Sequence, residues 1–145
     1  MTARDLYDRD FFEWTRCNAA LLRARQFEQA DMEHIAEEIE DAGKAQRCEL
    51  DSRMRVILAH LLKWQAQRER RGRSWRATID VQRGELLRLL RQMPSLTNYL
   101  REGIDETYEL AVKSAIAETD LPDEAFPSRC PFAVEQLLDT GFFPE

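Results

Sequence analysis

The sequence predicts an all-α protein, an antiparallel helical bundle of four to five helices, and three observations carry that expectation. Apolar residues recur at three- and four-residue steps through most of the chain, with no stretch of strand-type alternation. The five prolines, Pro94, Pro122, Pro127, Pro131 and Pro144, all lie in the C-terminal half, so the first 93 residues lack the commonest helix breaker. Charged residues make up 33% of the chain against 43% hydrophobic, the balance of helices with one buried stripe and solvated outer faces. A length of 145 residues fits a single helical domain over 1–145, with an irregular C-terminal arm at about 120–145.

The first helix is expected after Asp10, where Phe11, Trp14, Cys17, Leu21 and Leu22 share one face, and it should fray near Arg25–Gln29. Asp31 reads as the N-cap of the next helix, with Glu33 in a first turn that favours negative charge. Its apolar positions run Met32, Ile35, Ile39 and Ala42, then Leu50, Met54, Ile57, Leu58, Leu61 and Trp64, reaching about Gln67. Gly43 interrupts this run as a kink, a break between two helices, or a close-packing point for a neighbouring backbone, and one long helix bent there is the favoured reading. Residues 68–73 form a turn, and Ser74 is placed to cap a third helix carrying Trp75, Ile79, Leu86, Leu89, Leu90 and Met93. Pro94 stops that helix. Ser95 caps a fourth, with Leu96, Leu100, Ile104, Tyr108, Ala111 and Ala115, ending around Thr119.

Beyond it, the prolines of DLPDEAFPSRCPF rule out regular helix. Pro131 suits the first turn of a short last helix, PFAVEQLLD, which Gly141 ends. Phe126, Phe132, Phe142 and Phe143 make this arm an aromatic segment able to pack over the bundle.

Net charge is −6, which repels nucleic acid and anionic membrane surfaces overall and leaves either partner dependent on a local basic patch. Cys17, Cys48 and Cys130 are odd in number and widely spaced, so a disulfide framework or a structural zinc site is not expected. The opening MTARDLYDRDFF has no apolar signal core and no run has the length of a membrane span, which gives a cytoplasmic expectation.

Several segments, in this order, resemble one family: YDRDFFEW at 7–14, HIAEEIEDAGKAQRCELDSRM at 34–54, LAHLLKWQ at 58–65, RSWRATIDVQR at 73–83, PSLTNYL at 94–100, ETDLP at 118–122 and FPSRCPF at 126–132. The chain is similar to the uncharacterised bacterial helical proteins known as domain of unknown function twenty-nine. Phe132 stands where that family commonly has tryptophan. The resemblance implies a helical fold and a bacterial source, and it brings no activity, cofactor or catalytic residue.

Three features could carry chemistry. His34, Glu37 and Glu38 share a helix face inside an acidic cluster with Glu33, Glu40 and Asp41, and such groups could bind a metal through nitrogen and oxygen. Bundle metal sites also need carboxylates from other helices, and only Glu109, Glu118 and His60 offer themselves, without the usual spacing. The basic stretch KWQAQRERRGRSWR, residues 63–76, carries a local charge of +5. Its Arg68, Arg70, Arg71 and Arg73, with Trp75, suit a protein interface, and its arginines beside Trp64 and Trp75 could also contact phosphates and bases. The acidic segment 28–41 could neutralise this stretch, within one chain or across a dimer, and both tryptophans also fall at core spacing. Finally, no nucleophile motif, phosphate loop or dinucleotide fingerprint is present.

The functional expectation is therefore a non-enzymatic protein-interaction domain with an unidentified protein partner, which could be a second copy, and with no cofactor. A metal-binding bundle enzyme using His34, Glu37 and Glu38 is the alternative, and nucleic-acid binding through 63–76 the second.

Overall fold

The computed structural model describes residues 1–145, and the fold is all-helical, with 74% helix and no strand. Six α-helices follow one another: α1 (Leu6–Arg9), α2 (Phe11–Arg23), α3 (Met32–Ala66), α4 (Arg73–Gln92), α5 (Leu96–Thr119) and α6 (Val134–Leu138). Short 3-10 turns occupy Arg68–Arg70 and Asp123–Ala125. None of the helices is long and apolar enough to cross a membrane. The chain divides into two units, Met1–Gln46 and Arg47–Glu145.

The first unit contains α1, α2 and the opening turns of α3. The short α1 was not foreseen, because four residues give periodicity nothing to act on. Asp10 caps α2 by accepting from the Glu13 N–H at 3.0 Å, the usual way an N-cap oxygen meets an orphan donor. The end of α2 does not fray as expected. The Gln26 N–H donates to the Leu21 carbonyl at 2.9 Å and the Arg25 N–H to the Leu22 carbonyl at 3.0 Å. That pair of bonds is the Schellman cap, and it places Arg25 at φ 60°, the left-handed position that glycine normally fills.

Helix α3 runs unbroken through Gly43. A Cβ built on Gly43 would meet nothing within 4 Å, so neither a break nor a close-packing point accounts for this glycine.

The second unit holds the apolar core. Leu50, Met54, Ile57, Leu58, Leu61 and Leu62 of α3 are fully buried, with Ile79 and Leu86 of α4, Leu100, Ala111 and Ala115 of α5, and Leu137 of α6. Each set falls at helical spacing, and each buried Leu or Ile contributes about 1.5–3 kcal/mol of transfer free energy. Trp64 and Trp75, also expected in the core, are only half-buried.

Several caps differ from expectation. Ser74 lies inside α4, which starts at Arg73 behind Gly72. Ser95 occupies the N-cap position of α5 but makes no capping bond through its side chain. The last helix starts at Val134 rather than Pro131 and ends at Leu138, ahead of Gly141. The Ala133 N–H there donates to the Gln136 side chain at 2.9 Å, which replaces a capping residue.

One charged residue lies in the apolar stripe of α4. Arg83, between Ile79 and Leu86, is 0% exposed. Its guanidinium donates to the main-chain carbonyls of Leu137 (2.9 Å), Phe142 (2.6 Å) and Gln136 (3.0 Å). The rings of Phe142 and Phe143 lie 6.0 and 5.5 Å from it. Burial draws its pKa down, with Asp139 and Asp80 opposing.

Candidate interaction site

The densest polar network of the first unit centres on Asp31. This residue precedes α3, and its Oδ1 accepts from the His34 N–H at 3.4 Å, as an N-cap does. Its Oδ2 accepts from the Trp14 indole at 3.0 Å and from His34 Nδ1 at 2.6 Å. The Asp31 N–H donates to Asn18 Oδ1 at 2.8 Å, and the Asn18 amide donates to the Trp14 carbonyl at 2.9 Å. Trp14 and Asn18 are four apart on α2 and so present one face to this carboxylate. Burial raises the Asp31 pKa, but the hydrogen bonds from His34 and Trp14 outweigh it and hold the carboxyl below its ordinary value.

Tyr7 extends the network. Its ring stacks on His34 with centroids 3.8 Å apart, and its hydroxyl donates to Glu38 Oε1 at 2.6 Å. The bond to Glu38, then burial and the carboxylate charge, push the phenol pKa up to about 12. Trp14 stands edge-on to Tyr7 at 5.1 Å and lies nearly parallel to Phe11 at 5.4 Å. The aromatic and polar groups together clip α1 and α2 to the start of α3.

Beside this clip lies an apolar groove of ≈ 280 Å³, lined by Trp14, Thr15, Asn18, Ala19 and Leu22 of α2 and by Ile35, Glu38, Ile39 and Ala42 of α3. Ile39 is 69% exposed. The apolar stripe expected along the start of α3 is therefore present but largely uncovered, and Met32, Phe11, Phe12 and Phe27 are likewise exposed. In contrast, Ala3 and Trp14 are the only apolar side chains of residues 1–46 that are buried.

The metal candidates are engaged elsewhere. His34 Nδ1 faces Asp31, one Glu38 oxygen accepts from Tyr7, and Glu37 is exposed. No three His, Cys, Asp or Glu side chains gather where they could hold a metal ion. His60 Nδ1 donates to the Val56 carbonyl at 2.9 Å, and Glu118 pairs with Lys63 at 2.5 Å. All three cysteines are free.

The basic stretch lies in the second unit. Lys63 is buried, bonded to Glu118, with its ammonium 5.0 Å from the Trp75 ring centroid. Arg71 donates from Nε to the Trp64 carbonyl at 2.6 Å, and its Nη2, like Gln67 Oε1, is buried without a hydrogen-bond partner. Arg68, Arg70 and Arg73 are exposed, and Arg76 lies 4.6 Å over Phe143.

Tyr7, Asn18 and the hub role of Asp31 escaped the sequence reading. The one available signal was Asp31 itself, whose capping position fixes a carboxylate next to His34.

No curated protein and no solved structure matches the chain. A family model does match, over residues 6–143. The chain belongs to the family described as Domain of unknown function DUF29.

Proposed function

We propose that this chain is a cytoplasmic bacterial protein-interaction domain, its helices packed as an antiparallel bundle, that seats an α-helix of a partner protein in the groove between α2 and α3. One observation carries the reading. The first 46 residues bury only Ala3 and Trp14 among their apolar side chains while exposing Phe11, Phe12, Phe27, Met32 and Ile39. Apolar surface concentrated in this way marks a recognition site, whereas scattered single residues do not. A groove between two helices suits a third, whose apolar side chains would enter at i, i+3, i+4 and i+7. The clip around Asp31 supports the same reading, because it positions the two walls through polar bonds and leaves the apolar stripe free.

Ile39 is the residue to change, since its exposure makes unfolding an unsuitable explanation for lost binding. The tagged chain is used to capture a stoichiometric partner from a bacterial lysate, and the purified partner is then titrated against wild type and Ile39→Glu. Binding that weakens about ten-fold or more supports the reading. A partner bound equally by both chains overturns it.

A further inference from the structure

We infer that the helix seated in this groove is basic, with lysine or arginine flanking its apolar face. The inference rests on the helix-docking reading above and adds the chemistry of the partner. From Met32 to Gly43, α3 carries Glu33, Glu37, Glu38, Glu40 and Asp41 and no lysine or arginine. Ile35, Ile39 and Ala42 form one stripe along this segment. Glu38 itself lines the groove; Asp41, three residues on, lies toward the same edge of the stripe, and Glu33, Glu37 and Glu40 lie around the back of the helix.

Glu37, Glu40 and Asp41 are exposed and none has a cation within 4.0 Å: the ion pairs of this unit are Arg4–Glu33 and His34–Asp31. This end of α3 is thus acidic and uncompensated around an uncovered apolar stripe, with Glu38 and Asp41 along the edge of the stripe. Lysine and arginine lay their methylene stems along apolar surface while the charged head reaches outward, so a basic amphipathic helix satisfies both features at once.

Charge also argues against the same face of a second copy in the groove. Residues 1–46 hold eleven acidic and six basic residues, and two such faces repel.

The test uses the full chain and three synthetic helical peptides of about 18 residues, enough for five turns. Each has leucine on one face, with lysine, glutamine or glutamate on the other. The lysine peptide is expected to bind about ten-fold or more tighter than the glutamine peptide and to weaken as salt rises from about 50 to 200 mM. Ile39→Glu separates groove binding from plain charge attraction. It adds a negative charge, so it strengthens an unspecific cationic contact, but it weakens a helix seated on the stripe. Lysine-peptide affinity that rises in Ile39→Glu overturns the proposal.

Asp41→Lys, at the edge of the stripe, is expected to reduce the preference for the lysine peptide several-fold. Equal binding of the lysine and glutamine peptides, both lost in Ile39→Glu, overturns the charge inference and leaves helix docking standing. Binding of none of the three overturns both. Sedimentation showing a dimer that Ile39→Glu dissociates assigns the face to a second copy and overturns the basic partner.

Discussion

The phenol ring of Tyr7 lies flat on the imidazole of His34, with centroids 3.8 Å apart and planes 8° from parallel. The stack joins α1 to α3, and the Tyr7 hydroxyl bonded to Glu38 fixes its rotation. A phenol donating to a carboxylate gives up its proton reluctantly. Tyr7 is expected to stay protonated well past the ordinary value of 10.0 and to titrate at about 12. Carbon NMR of labelled tyrosine follows the site directly. Glu38→Gln should move the titration back toward 10.0, and a wild-type Tyr7 that already titrates there contradicts the geometry.

Asp31 links the same clip to pH. Its folded pKa lies below the ordinary 3.8, so its contribution to stability is fully present above that value and fades as pH falls through the folded pKa. The clip is therefore intact at neutral pH and opens in strong acid. Asp31→Asn should speed amide exchange in α2 at neutral pH and remove the acid step in Trp14 fluorescence. An unchanged acid step in this variant places the titrating group elsewhere.

Two backbone positions invite stabilisation. Gly43 is in mid-helix, with open space where a Cβ would go, and Gly43→Ala should add about 1 kcal/mol. Arg25 holds a left-handed conformation at a helix cap, and Arg25→Gly should add up to about 1 kcal/mol by relieving it. Chemical denaturation measures both. A loss at Gly43 would mean that the missing Cβ matters to something other than helix propensity.

Arg83 behaves oppositely. Arg83→Met fits the apolar stripe but strips three carbonyls, the Leu137 one buried and the other two part-buried, of their donor, at a cost of about 3 kcal/mol. Arg83→Lys keeps the charge yet cannot reproduce a planar fork reaching three acceptors, so it should recover less than half of the loss. Full rescue by lysine would show that charge, rather than geometry, holds the site.

Helix content and the main stripes were legible because burial in the second unit obeys a simple period. Leu50, Met54, Ile57, Leu58 and Leu61 are spaced for one face, and all are buried. The same inference reaches its limit at Ile39, because periodicity marks an apolar face without saying whether anything covers it. Arg83 was illegible for the opposite reason: a cation among apolar neighbours has no local partner, and its acceptors lie more than fifty residues away. Ser74 and Pro131 were assigned roles by residue type, and the chain placed the helix starts elsewhere. The Asp31 clip depends on Trp14 and Asn18 meeting a carboxylate across a turn, which no spacing rule within one helix encodes.

The acceptors of Arg83 also set an order of events during synthesis. The guanidinium belongs to α4, yet the carbonyls that satisfy it are in residues 136–142, which leave the ribosome more than fifty residues after it. Until they emerge, closing the second unit would strand a cation in an apolar interior, which is strongly unfavourable. A nascent chain halted before Gln136 is therefore expected to remain open around α4 and to be a substrate for chaperones and proteases, so the arginine makes the emergence of residues 136–142 a condition for closure.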